Sequence, residues 1–304
     1  MIRWPYKWRK KEGIFLNIPY LAGAIYKWDC FVENCFIKFA RLPKSGIWRG
    51  EDRKKKIVVS LTTFPARINE CYYAIKSLMI QSYPADRIVL WLAKNQFPDE
   101  KLPLKFDNLI ARGLEVRYCD EDLRSHKKYY YALQEQKEDE LIVTFDDDII
   151  YEYDAILKLV DCHKRYPNSI ICNRGHHITS NDGKIESYNK WKICSVEGVY
   201  EPSVRIMPST GAGCLYPYGV MPKTTFDRDA IRDYAFTADD IWMLFNRLSV
   251  GVSVVKTLEK SAILCNVYGS QNEALTVIND IGHENERTIE RLKTLFTDLL
   301  DKCL

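Results

Sequence analysis

Several devices by which sequences announce a class are missing from this chain. No dinucleotide fingerprint and no Walker-type phosphate loop is present, and the stretch after the first candidate strand, Leu61-Thr62-Thr63-Phe64-Pro65-Ala66-Arg67, contains no glycine. Any nucleotide must therefore be held by other means. The ten cysteines form no Cys-x-x-Cys pair and no zinc-type cluster, which points to a reducing compartment. The longest apolar stretch, Ile14 to Tyr26, has 13 residues and is interrupted by Asn17 and Pro19. A membrane-spanning helix needs roughly 20, and no signal peptide opens the chain, so a protein that neither spans a bilayer nor is secreted by a standard route is expected. With 14 Gly and 12 Pro, collagenous and low-complexity classes are excluded.

What remains is an ordinary globular composition: 304 residues, 46% apolar and 28% charged, enough to bury a sizeable core. The net charge of +3 conceals an asymmetry, because residues 1–56 hold 14 Lys/Arg against 5 Asp/Glu and the remainder is acidic. Four of the seven tryptophans (Trp4, Trp8, Trp28, Trp48) share that basic segment. Aromatics beside basic residues suit an anionic membrane surface, and Ala24–Ala40 supplies an amphipathic helix with Ile25, Trp28, Phe31, Val32, Cys35, Phe36 and Phe39. A packing arm laid over the rest of the chain is the alternative. No nucleic-acid-binding motif accompanies the charge, so nucleic acid is not expected as a partner.

From Ile57 the pattern changes to short β-branched runs, Ile57–Leu61, Arg87–Leu92, Leu114–Tyr118 and Leu141–Phe145, starting 30, 27 and 27 residues apart. That rhythm predicts strand–helix–strand units and a mainly parallel sheet flanked by helices up to about Cys172. The segment Asn173–Phe236, rich in Gly, Pro, Ser and aromatics, reads as hairpins and loops. A helix from Asp239 to Leu248, a strand at Val252–Val255 and a final amphipathic helix (Ile289, Leu292, Leu295, Phe296, Leu299, Leu300) complete the expectation. The domain division is a basic arm over 1–55 and an α/β domain over 56–304, itself split at 172/173.

The most informative motif is Leu141-Ile142-Val143-Thr144-Phe145-Asp146-Asp147-Asp148, three carboxylates at the end of an apolar strand. Ligands bind at the carboxyl ends of parallel strands. Strand alternation would put Asp146 and Asp148 on one side and Asp147 on the other. Two converging carboxylates call for a cation, and hard oxygen donors select Mg²⁺ or Mn²⁺, with Asp146 and Asp148 as ligands.

With that triplet the chain resembles glycosyltransferases of the GT-A fold, whose Asp-x-Asp motif holds a divalent ion against a nucleotide-sugar diphosphate. Ser77-Leu78-Met79-Ile80-Gln81-Ser82-Tyr83-Pro84 is similar to the Ser-Leu-x-x-Gln-Thr-Tyr-Pro stretch of family-2-like members, and Ala238-Asp239-Asp240-Ile241-Trp242 to their acidic pair. The resemblance implies that Asp240 is the base that deprotonates an acceptor hydroxyl, with inversion at the anomeric carbon, and that Asp239 caps its helix and contacts the acceptor. It also implies a nucleotide site formed by Thr62, Phe64, Arg67, Lys127, Lys128, Asp146 and Asp147. One departure stands out: where many members carry an aspartate that reads uracil, this chain has Trp91-Leu92-Ala93. Thr210-Gly211-Ala212-Gly213 would let backbone approach a sugar, and Tyr188 and Trp191 could stack on one. His176, His177 and His283 are not assigned to the metal. The motifs look most like bacterial enzymes of capsule or O-antigen synthesis. The implied reaction is transfer from a nucleoside-diphosphate sugar, UDP-hexose first (UDP-galactose or UDP-galactofuranose), to a lipid-linked or growing glycan at the cytoplasmic face of the inner membrane. A metal-dependent nucleotidyltransferase or phosphohydrolase, and a silent membrane-surface module, are the competing readings.

Overall fold

Along β1 (Lys56–Thr62), Ile57, Val59 and Leu61 enter one apolar cluster and Val58 enters another, the two-residue period of a strand buried on both faces. The computed structural model describes residues 19–193, 199–257, 264–270 and 284–304. The same pattern recurs in β2 (Arg87–Ala93) and β4 (Glu140–Phe145), whereas β3 (Leu114–Cys119), at the edge of the sheet, is half-buried along its middle. β1 pairs in parallel with β2 and β4, and β2 with β3. After a short β5 (Ile149–Ile150), β6 (Ile170–Cys172) returns to the sheet and β7 (Gly175–His177) leaves it. The hairpin β8 (Ser180–Asn181) and β9 (Lys184–Ile185), then β10 (Lys192–Ile193) and β11 (Ile206–Pro208), lead to β12 (Ala212–Tyr216), β13 (Val254–Lys256) and β14 (Cys265–Asn266).

Among the described residues the central sheet has seven strands in the order β13-β6-β12-β4-β1-β2-β3, all parallel except β12. The chain is thus an α/β protein with a mainly parallel sheet, as its periodicity predicts. One face carries α2 (Ile68–Met79) and α5 (Ala155–Arg165), whose Ile75, Leu78, Ile156 and Leu159 share one apolar cluster with Ile57, Val59 and Leu61 of β1. A single turn, α3 (Asp107–Ile110), precedes β3. The other face carries α4 (Lys127–Gln134), α6 (Arg228–Ala235), α7 (Asp239–Ser249) and α8 (Glu284–Leu295), meeting it through Tyr129, Ile231, Trp242, Phe245 and Leu292. Side chains of this size contribute about 1.5–3 kcal/mol each when fully buried.

The largest difference from expectation lies in Asn173–Phe236. Instead of hairpins and loops alone, it supplies β12 to the middle of the sheet, antiparallel to β4 and β6. Its glycines suggest a loop, yet Gly213 (φ +99°) sits at the bulge where the register shifts between Ala212 and Cys214, and a Cβ there would stand 2.7 Å from Asn173 Nδ2. The Val252–Val255 strand is displaced to Val254–Lys256, and the last helix stops at Leu295, with Leu300 and Cys303 buried in a following 3₁₀ turn.

The amphipathic helix begins before Ala24: α1 spans Pro19–Phe39. Its face bearing Cys30 and Ile37 packs with Ile150, Cys265 and Val267, so residues counted with the arm share a core with the α/β domain. Asn34 Nδ2 donates to Asn266 O (3.0 Å), Tyr268 N–H donates to Asn34 Oδ1 (2.9 Å), and β14 pairs with β5 directly after the acidic triplet. No described helix is long and apolar enough to cross a membrane.

Candidate active site at the carboxyl edge of the sheet

The site is organised by polar side chains that tie loops to strand ends. Ser60 on β1 donates to Lys128 O (2.5 Å) and accepts from the Trp91 indole N–H (3.1 Å), which fixes the first turn of α4 over the sheet. Thr144, near the end of β4, donates to Thr210 O (2.6 Å), so the turn before β12 is held beside the acidic triplet.

Lys128 is 3% exposed, and its Nζ lies 2.7 Å from Asp146 Oδ1 and 2.9 Å from Asp239 Oδ2. One buried ammonium therefore joins the triplet to the acidic pair. Burial disfavours its charge, but Asp146, Asp239 and Asp240 outweigh burial and raise its pKa. The reciprocal effect acts on Asp239: burial opposes its charge, while Lys128, then His126, hold it well below the usual carboxylate range. His126 is buried beneath the pair, with Nδ1 2.7 Å from the Tyr129 hydroxyl and Nε2 2.8 Å from Ala235 O, and burial lowers its pKa to about 4.

Asp240 lies in a contrasting environment. Its Oδ1 accepts from Thr210 N–H (2.8 Å) and is 2.5 Å from Thr210 Oγ1, which is also 2.7 Å from Asp239 Oδ2. Burial, with the neighbouring Asp239 charge, raises Asp240 to about 7. A single hydroxyl proton cannot serve two carboxylates at once. A proton on Asp240 therefore completes the set, passing a hydrogen bond to Thr210 Oγ1, which donates to Asp239. Two adjacent acids are driven apart by their surroundings, one kept ionised and one able to gain or lose a proton near neutrality.

The triplet itself departs from strand alternation. β4 ends at Phe145, and Asp147–Asp148 lie in a bend after Asp146, so Asp147 does not point away from Asp148. Arg67 Nη1 contacts both, 3.1 Å from Asp147 Oδ1 and 3.0 Å from Asp148 Oδ2, while Thr63 donates to Asp147 Oδ2 (2.5 Å). Burial, then Asp146 and Asp147, raises Asp148 to about 7. The Asp146 side chain is 38% exposed against 8% for Asp147. Asp146 and Asp148 thus supply hard oxygen donors in a place with surplus negative charge, which fits a divalent ion. Among the described residues no three His, Cys, Asp or Glu side chains form a ready cage, so a donor's phosphates would have to complete the coordination.

Other expected residues fall elsewhere. Lys127 is buried against Asp122, with Gln96 Oε1 3.5 Å away, and Gln96 donates to Asp122 Oδ2 (2.8 Å), forming a second polar cluster at the ends of β2 and β3. Thr62 donates to Trp91 O (2.8 Å) and serves strand pairing, because its side chain sits inside the ladder. Phe64 stands under Arg67, ring centroid 5.6 Å from the guanidinium carbon. Trp91 is a core residue stacked on Tyr131 at 5.0 Å. Trp191 is also buried core; Tyr188 stacks between it and His176. His283 lies outside the described residues.

Asp239 is not the helix cap. The capping position of α7 is Ala238, without a side-chain bond, because both acids are claimed by Lys128 and Thr210. Thr63 and Tyr151 escaped sequence reasoning, as did the side-chain role of Thr210, whose stretch was expected to contribute backbone alone. The Tyr151 hydroxyl donates to Gly211 O (2.6 Å) and lies 2.7 Å from Asp146 N, locking the triplet against the β12 turn. A separate cleft of about 710 Å³, lined by Lys55, Glu138, His163, Pro217 and Val252, opens at the opposite edge of the sheet and holds none of these residues.

No protein-family model and no curated protein matches the sequence. Among solved structures the chain is similar to a mannosyltransferase of Pyrobaculum calidifontis in complex with GDP-mannose and Mn²⁺ (12% identity, TM-score 0.47, 92% of this chain and 78% of that one). It is also similar to a 4-diphosphocytidyl-2C-methyl-D-erythritol synthase of Anaerococcus prevotii (14%, 0.40, covering 76% and 95%). A third likeness is to an inositol-1-phosphate CTP transferase of T. maritima (8%, 0.41, covering 78% and 98%). Likenesses at this level fix neither the reaction nor the substrate.

Proposed function

We propose that the chain is a metal-dependent, inverting glycosyltransferase that moves a sugar from a nucleoside diphosphate to a hydroxyl of a lipid-linked or growing bacterial surface glycan, working at the cytoplasmic membrane face. The observation that carries this reading is the geometry at the strand ends: Lys128 bridges Asp146 and Asp239, and Asp239 and Asp240 share the Thr210 hydroxyl. A base working near neutrality must be able to take a proton there, and Asp240, raised to about 7, meets that condition. Asp240 removes the acceptor's hydroxyl proton as the oxygen bonds to the anomeric carbon. The bond to the diphosphate breaks on the opposite side, and its electron pair leaves with the nucleotide. Lys128 and Arg67 hold the carboxylates in place and lend positive charge to the same edge. A divalent ion held by Asp146 and Asp148 would supply further charge for the departing diphosphate.

At the β2 and β3 ends, the partly exposed Gln96 and Asp122, held by the buried Lys127, offer a donor and an acceptor to a nucleobase. The donor, UDP-galactose in pyranose or furanose form first, is tested by screening UDP- and GDP-sugars for acceptor-stimulated nucleotide release with Mn²⁺. Release that needs a glycan acceptor supports transfer. Phosphate or pyrophosphate release without an acceptor would replace it with hydrolysis or nucleotidyl transfer.

A further inference from the structure

The helix α1 carries two stripes at helical spacing. Tyr26, Cys30, Glu33 and Ile37 face the domain, whereas Trp28, Phe31, Cys35 and Phe39 follow one another three and four residues apart on the outside. Among the described residues nothing covers this outer stripe: Trp28 is 65% exposed, Phe31 46% and Phe39 78%. Trp28 and Phe31 lie with ring centroids 5.7 Å apart, so their exposed areas merge. Lys27 and Lys38 are exposed on the same helix, and the 18 residues before it contribute Arg3, Lys7, Arg9, Lys10 and Lys11 against Glu12 alone.

From this we infer that the outward face of α1 docks on an anionic lipid surface, the aromatic rings entering the headgroup region and the flanking lysines meeting lipid charge. Two copies set face to face would bring like charges together, which argues against a second chain as the occupant. The inner stripe fixes where the docked protein faces. Asn34 grips the 266–268 segment, and Val267 N–H donates to Asp148 O (2.8 Å), so the docking helix stands one segment away from the acidic triplet. The catalytic edge would then lie beside the bilayer. This inference does not depend on the transferase reading, because lipid binding is read without nucleotide.

The test is flotation of the full chain with vesicles of phosphatidylglycerol and phosphatidylcholine, against phosphatidylcholine alone, at low and high salt. The parent is expected to float with the anionic vesicles and to be released by salt. The triple variant Trp28→Ser/Phe31→Ser/Phe39→Ser should keep the parent's melting temperature and bind about tenfold more weakly or worse. Lys27→Glu/Lys38→Glu should weaken binding by about fivefold or more for each site. A parent that stays with the unbound fraction, or a triple variant that floats as the parent does, overturns the proposal. So does a parent dimer in sedimentation that the triple variant disperses, since the stripe would then be a contact between copies.

Discussion

Gly211 lies directly against the Asp146 carboxylate: a Cβ built on it would fall 1.6 Å from Oδ2. The turn before β12 can press on the triplet only because residue 211 has no side chain. The backbone is joined there too, Asp146 N–H donating to Gly211 O (3.0 Å). Gly211→Ala should therefore displace Asp146 from Lys128 and from any metal it holds. The displaced group is a partly exposed carboxylate, so the fold should survive at a cost of about 1–3 kcal/mol, as for other overpacked sites. Titration calorimetry with Mn²⁺ and a nucleoside diphosphate is expected to show lost or strongly weakened binding. Unchanged affinity would mean that Asp146 is not a ligand.

Lys128 should be among the costliest single changes in the site. Lys128→Met leaves two buried or half-buried carboxylates without their cation, and breaking such a pair from one side costs about 3–5 kcal/mol. The double variant Lys128→Met/Asp239→Asn removes one orphaned charge and should recover part of that loss. Urea denaturation of the parent, both single variants and the double variant gives the coupling between them. Simple additivity would show that the contact carries no energy.

The Asp239–Asp240 pair makes a prediction about pH with a definite sign. Asp240 binds its proton more tightly folded than unfolded, with a folded pKa of about 7 against about 3.9 in the free chain. Its contribution to stability is then complete below about pH 4 and lost as pH rises through 7. Asp240→Asn keeps the hydrogen-bonding shape without the titration, so its melting temperature relative to the parent should rise between pH 5 and about 8. If the two curves stay parallel, burial does not raise Asp240. In the transfer assay the same variant should lose about 10²–10⁴-fold in rate while still binding nucleotide. Thr210→Val, which removes the shared hydroxyl, should shift the alkaline-rising limb of the rate profile rather than abolish it.

The parallel half of the fold is legible because its signal is local. β1 to β4 are runs of apolar residues recurring at nearly equal spacing, and the sheet records them in register. β12 is not legible in the same way: Ala212-Gly213-Cys214-Leu215-Tyr216 becomes a central strand only because β4 and β6 leave a slot between them, a tertiary fact. The acids divide likewise. That Asp146 and Asp240 lie at one edge follows from strand ends and motif order. That Lys128 joins Asp146 to Asp239, and that Thr210 sorts the protons of Asp239 and Asp240, depends on pairs 18 to 111 residues apart in the chain brought together by folding. The cap assigned to Asp239 fails for the same reason, since a buried lysine competes better for a carboxylate than free backbone N–H groups do.

The triplet can be dissected by setting stability against binding. Asp147 is buried and takes hydrogen bonds from Thr63 and Arg67, so its carboxylate is fully used in holding the β1 turn to the end of β4. Asp146 is half-exposed and, among the described residues, its side chain is tied to Lys128 alone. Asp147→Ala should therefore lower the denaturation midpoint by an amount equivalent to about 2–4 kcal/mol, leaving Thr63 and part of Arg67 unpaired, yet retain metal-dependent nucleotide binding in the fraction that is folded. Asp146→Ala should do the reverse, costing less stability than Asp147→Ala because Lys128 keeps Asp239, but losing that binding, and Asp148→Ala should lose binding together with some stability because Arg67 also relies on it. Calorimetry and urea denaturation on the three variants decide it. If Asp147→Ala is the variant that loses Mn²⁺-dependent affinity while Asp146→Ala keeps it, the roles within the bend are exchanged, and the ion sits on the Arg67 side of the triplet.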